Sequence, residues 1–187
     1  MSKYDEICQA SNNAVMRWNQ YRERCWAYLA TIVHGLVVDW GIPQEKVTFL
    51  RSNDLPGEQR IYSPPEDGRQ QYTLPGAVTF ENDDEYWHLG VSVTLSPAGT
   101  FPERWVGFVL CVTESEGHAL VKLGMNGKPR PMDFSDPRQC TELYDEIAEY
   151  VKGLFDNPRR ITKQIGFAAV VNPQQGEKQG SAATVGR

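Results

Sequence analysis

No stretch of this chain is apolar for long enough to cross a bilayer. The longest such run, around Leu29–Val38, is interrupted by Thr31, His34 and Gly35, and a spanning helix needs about 20 apolar residues. Paired cysteines are missing too. Cys8, Cys25, Cys111 and Cys140 are scattered with no CxxC spacing, so buried free thiols and a reducing, cytoplasmic setting are expected rather than a disulfide framework or a zinc site. The start, Met-Ser-Lys-Tyr-Asp-Glu, has no apolar run behind a basic residue, and no signal peptide is expected. There is no GxSxG elbow and no Cys-His signature. Gly124-Met-Asn-Gly-Lys128 lacks phosphate-loop spacing and reads as a hairpin turn. With three histidines in the whole chain, neither a metal nor a cofactor is expected. No internal repeat is visible.

Charge is unevenly spread. Residues 1–157 hold 14 Lys/Arg against 23 Asp/Glu, a balance of −9, whereas residues 158–187 hold five against one, or +4. An acidic body repels phosphate backbones. The basic residues Arg159, Arg160, Lys163, Lys178 and Arg187 come with few aromatics on which bases could stack, so a nucleic-acid partner is not expected.

The chain does contain a clear sheet. From Tyr86 to Leu95, Trp87, Leu89, Val91, Val93 and Leu95 alternate with Tyr86, His88, Gly90, Ser92 and Thr94, which predicts a strand with one dry and one wetter face. Ala77–Phe80 precedes it across Asn82-Asp-Asp84, a hairpin pattern. Trp105–Thr113 is apolar on both faces, as in a doubly covered central strand. Glu114-Ser-Glu-Gly117 turns the chain, and His118–Gly124 alternates again with Ala119, Val121 and Leu123 inward. Lys46–Arg51 is a further strand, at an edge or joining the sheet. Residues 52–71, rich in turn formers and broken only by Arg60-Ile-Tyr62, read as a long excursion, either a linker or a functional loop.

Two helices flank these strands. Ser2 and Asp5 form a capping box. Behind it Tyr4, Ile7, Cys8, Val15, Trp18, Tyr21, Cys25, Leu29, Ile32, Val33 and Leu36 keep a 3–4 spacing, until Gly41 and Pro43 stop the helix. At that length one end should project past the sheet or bend near Asn12-Asn13. The second helix starts at Asp136-Pro137 and carries the stripe Cys140, Leu143, Tyr144, Ile147, Ala148, Val151, Leu154 and Phe155 to Asn157-Pro158. Ile161–Val171 reads as a last strand or strap, and residues 172–187 as a disordered tail. The expected architecture is therefore a single α+β domain over residues 1–171. It has an antiparallel sheet of about five strands, packed on one face by a long N-terminal helix and a C-terminal helix.

Function is much less legible. The polar cluster Glu81-Asn-Asp-Asp-Glu85 with His88 fits no metal-binding pattern. Asp83, Asp84, Glu85 and His88, or a His88/His118 pair meeting on the outer sheet face, would be the residues of a small hydrolase or metal-dependent enzyme, with loop 52–71 as its lid. His34, beside the helical stripe, reads as a buried histidine. The favoured expectation is a non-enzymatic accessory module: an adaptor, a chaperone, an immunity-type protein or a small subunit of a larger assembly. It would bind a protein partner, or a second copy, through the N-terminal helix. Tyr4, Ile7, Val15, Trp18, Tyr21, Leu29 and Leu36 already supply a stripe for the sheet. Trp26, Tyr28 and Val37 widen it beyond what one sheet face covers. Trp18, Trp26 and Tyr28 are the expected contact residues, to be covered by a partner or by residues 52–71.

Overall fold

The computed structural model describes residues 2–52, 55, 60–62, 72–95 and 105–155. The strap at Ile161–Val171, the tail 172–187 and most of the 52–71 excursion lie outside the described residues. In chain order the elements are α1 (Lys3–Asp39), β1 (Val47–Leu50), β2 (Arg60–Tyr62), α2 (Leu74–Ala77), β3 (Thr79–Glu81), β4 (Tyr86–Thr94), β5 (Trp105–Ser115), β6 (His118–Leu123), β7 (Arg130–Met132) and α3 (Pro137–Phe155).

Among the described residues all strand pairings are antiparallel. The seven strand segments fill five columns, because short segments share an edge. β1 pairs with residues 90–93 of β4 and β3 with residues 86–88; β2 pairs with residues 105–107 of β5 and β6 with residues 110–115. The expected sheet of about five strands is thus found, with Arg60–Tyr62 a true strand rather than a break in a loop. Turn chemistry closes it. Glu116 and Gly117 both have positive φ, 52° and 81°, the conformation a two-residue hairpin loop of type I′ requires. One local reading is corrected. The strand expected from Ala77 starts at Thr79, since a helical turn with Pro75 in its first positions runs from Leu74 and ends on the fully buried Ala77.

Both helices lie on the same sheet face. Cys25, Leu29, Ile32, Val33 and Leu36 of α1 and Leu143, Tyr144, Ile147 and Val151 of α3 share one core with Trp87, Leu89, Val91, Val106, Phe108, Leu110, Val112 and Val121. The caps form as the residues require. Asp5 N–H donates to Ser2 Oγ while Ser2 N–H donates to the Asp5 carboxylate, and Arg138 N–H donates to Asp136 Oδ1. Where α1 and α3 touch, a Cβ built on Gly35 would stand 1.8 Å from the Tyr144 hydroxyl. Gly35→Ala is expected to cost about 1–2 kcal/mol, overpacking outweighing the helix propensity gained. Most of that loss should disappear in the Gly35→Ala/Tyr144→Leu pair; urea unfolding showing simple additivity would mean the two helices do not touch there.

The opposite sheet face is drier than its alternation suggests. His88, Gly90 and Ser92 are buried, and Leu50, Leu55, Val109 and Cys111, with Tyr86 against them, make a second small core. Non-local cover, which alternation cannot report, dries this face.

Candidate functional site

Two features stand out: a polar cluster under the β3–β4 turn, and the N-terminal half of α1. The cluster is built by register. His88 on β4 lies opposite Cys111 on β5, and Cys111 lies opposite Lys122 on β6. Three side chains of one row therefore share the second sheet face. Asp84, from the turn above, reaches across the row. It accepts a hydrogen bond from His88 Nε2 at 3.0 Å and from Lys122 Nζ at 2.5 Å, and one from Tyr86 N–H at 3.1 Å through its other oxygen. The Lys122 ammonium also sits 4.1 Å from the Tyr86 ring centroid, a cation–π contact.

Burial makes this arrangement obligatory. His88 is 3% exposed and Lys122 6%, against 29% for Asp84. An ammonium that deep needs a counter-charge. Burial pushes the Asp84 carboxyl up, but the hydrogen bond from Lys122, the attraction of His88 and the Tyr86 N–H together outweigh it and hold the carboxyl below its usual range. His88 Nδ1 is buried with no hydrogen-bond partner. Glu85, next to Asp84, takes the left-handed conformation at φ 60°, so the turn is bent into place around the carboxylate.

The structure gathers only part of the enzyme set. Asp84 and His88 meet, while Asp83 and Glu85 are exposed. His118 is exposed at the far end of β6, opposite Ser115. Four register positions separate that pair from the Cys111 level, about 13 Å along the strand. The expected His88/His118 pair is corrected accordingly. His118 instead lines an open groove of ≈ 320 Å³ with Tyr28, Met132, Asp133 and Phe134. His34, expected to be buried, is exposed. Among the described residues no group of three or more His, Cys, Asp or Glu is placed to hold a metal ion. None of the four cysteines is in a disulfide, and Cys25 and Cys111 are fully buried; desolvation pushes the Cys25 thiol up to about 11. Nothing in the sequence singles out Lys122 beyond its place among the outward residues of a strand whose inward set is Ala119, Val121 and Leu123.

The second feature reverses an expectation about α1. Its 37 residues span roughly 56 Å, and the helix runs unbroken through Asn12-Asn13, so one end projects. The stripe assigned to the sheet is seated only from Trp18 on. Trp18 packs on Phe80 and Trp87 at 5.0 and 5.8 Å between centroids. Above it Tyr4 is 74% exposed, Ile7 68% and Val15 56%, and Trp18 itself remains 44% exposed. Trp26 and Tyr28, expected to need outside cover, receive much of it from their own chain. Trp26 meets the Trp87 ring edge-on at 6.2 Å, and Tyr28 stacks on Phe134 at 5.2 Å. Leu55, from the 52–71 excursion, lies in the other core, away from this strip. The exposed apolar strip therefore lies one end further along the helix than its composition suggested.

No helix of the described residues is long and apolar enough to cross a membrane. The chain matches no protein-family model, no curated protein and no solved structure.

Proposed function

We propose that this chain is a non-enzymatic protein-binding accessory module whose contact element is the N-terminal half of α1. One observation carries the reading: Tyr4, Ile7, Val15 and Trp18, on one face of the helix, are all exposed, in a segment whose residues 7–16 include no charge of either sign. Helices solvated on every side are normally laced with charge. A lone helix of about 15 residues is marginal in water, and contiguous exposed apolar surface on a soluble chain marks an interaction site. The acidic body favours protein over nucleic acid as the partner, and four cysteines outside any disulfide fit a reducing cytoplasm.

A small hydrolase working through Asp84 and His88 is the second reading, favoured by their contact and by the unpartnered His88 Nδ1. Against it, the imidazole is almost fully enclosed and Asp84 is already committed to Lys122. An enclosed general base cannot reach a substrate proton without a rearrangement.

If the stripe is a docking surface, the chain's own fold gains nothing from it. Ile7→Glu/Val15→Glu, melted at sub-micromolar concentration, is expected to keep the wild-type midpoint within about 2 °C, as surface substitutions do. A fall of more than about 5 °C would show that the chain covers this stripe itself, and would sink the proposal.

A further inference from the structure

Resting on that reading, we infer that the occupant of the exposed stripe is a second copy of this chain, whose own N-terminal half-helix lies antiparallel across it about a two-fold axis at Ser11. The pattern of the stripe carries this. Its face is made by Tyr4, Ile7, Cys8, Ser11, Ala14, Val15 and Trp18, which at 100° per residue fall within an arc of about 120°. These positions are symmetric about residue 11 in spacing, at three, four and seven residues to either side. They are symmetric in kind as well. Aromatic Tyr4 mirrors Trp18, β-branched Ile7 mirrors Val15, and small Cys8 mirrors Ala14.

An isologous contact needs a surface that complements itself after a half-turn, and this one does. Pairing residue i with residue 22 − i sets Tyr4 of one copy on Trp18 of the other, and Ile7 on Val15. Cys8 then meets Ala14, and Ser11 meets Ser11. Small side chains at the centre let the helices approach closely, while large ones close both ends. Residues 7–16 hold no charge to oppose its own image. Length fits as well: the overlap ends where Trp18 reaches Phe80 and Trp87. Beside them Trp18 remains 44% exposed, which leaves it open to Tyr4 of the other copy, and only the residues ahead of Tyr4 in each helix run abreast of the other body. Four turns of contact is a small interface, at the low end of specific association, so micromolar affinity is expected.

The test is sedimentation equilibrium on the full chain from about 1 to 100 µM, combined with cysteine cross-linking. A monomer–dimer equilibrium is expected, weakened at least tenfold by Ile7→Glu. Under mild oxidation Ser11→Cys, in a Cys8→Ala background, should form an intermolecular disulfide. Wild-type Cys8 should not bond to Cys8, because six residues of offset hold the pair about 9 Å apart along the axis, beyond disulfide reach. A disulfide mapped to Cys8–Cys8 would mean parallel helices, and a dimer in which Ser11→Cys stays reduced would mean another register. Either overturns the two-fold pairing. A monomer at every concentration overturns the second copy as occupant. The melting midpoint of Ile7→Glu then separates the cases: unchanged, it leaves the surface to a different chain and the binding-module reading stands; lowered by more than about 5 °C, it removes both.

Discussion

Asp84→Ala is expected to destabilise the fold by about 2–4 kcal/mol, because it leaves the Lys122 ammonium, 6% exposed, without a counter-charge. It also removes the acceptor for His88 Nε2 and the cap on Tyr86 N–H. The lower part of the usual range for a broken buried pair applies, since Asp84 itself is 29% exposed and water can enter in its place. Asp84→Asn, which keeps an acceptor but no charge, should fall in between. Asp84→Ala/Lys122→Met should recover most of the loss, because what is costly is the orphaned charge rather than the missing contact.

The pH dependence follows from the direction of the Asp84 shift. Its carboxyl is held below the ordinary value in the folded chain, so its contribution is fully present above the unfolded value, about 3.9. That contribution is lost as pH falls through the lower folded value. The urea midpoints of wild type and Asp84→Asn should therefore draw together as pH falls below about 3.9. If Asp84→Ala lies within about 0.5 kcal/mol of wild type at neutral pH, the Lys122 ammonium reaches water by another route, and the cluster is not a structural clamp.

Gly90→Val should cost about 3 kcal/mol and detach β1. A Cβ at Gly90 would stand 2.7 Å from the Leu50 carbonyl oxygen and 3.1 Å from Leu55 Cδ1. The first neighbour is backbone and cannot swing aside, so relief requires β1 to move off β4, taking the second core with it. The β propensity gained by replacing glycine, at most about 1 kcal/mol, does not offset this. Hydrogen exchange separates local from global damage: amides of Val47–Leu50 should lose protection, while those at the β5–β6 pairing keep theirs. Wild-type protection at β1 in this variant would show that the strand accommodates a side chain there, contrary to the packing described.

What this sequence determined by itself is the part of the fold whose causes lie within a few residues. The capping box at Ser2 and Asp5 and the Asp136-Pro137 start of α3 satisfy backbone groups of their own first turns. The alternation from Trp87 to Val93 gave β4 its core face, and Glu116-Gly117 gave its hairpin the positive φ pair. Tertiary structure decided everything that depends on which distant residue arrives. The stripe of α1 keeps one spacing from Tyr4 to Leu36, and nothing in that spacing marks Trp18 as the place where the sheet begins. Cover depends on sheet width, which the register of β3 and β4 sets. Asp84 reads as one solvated acid among four on a hairpin tip, until β5 and β6 bring Lys122 beneath it. Periodicity reports which side of an element is apolar. It is silent on what faces that side, because burial is a property of two surfaces and a helix or strand carries only one.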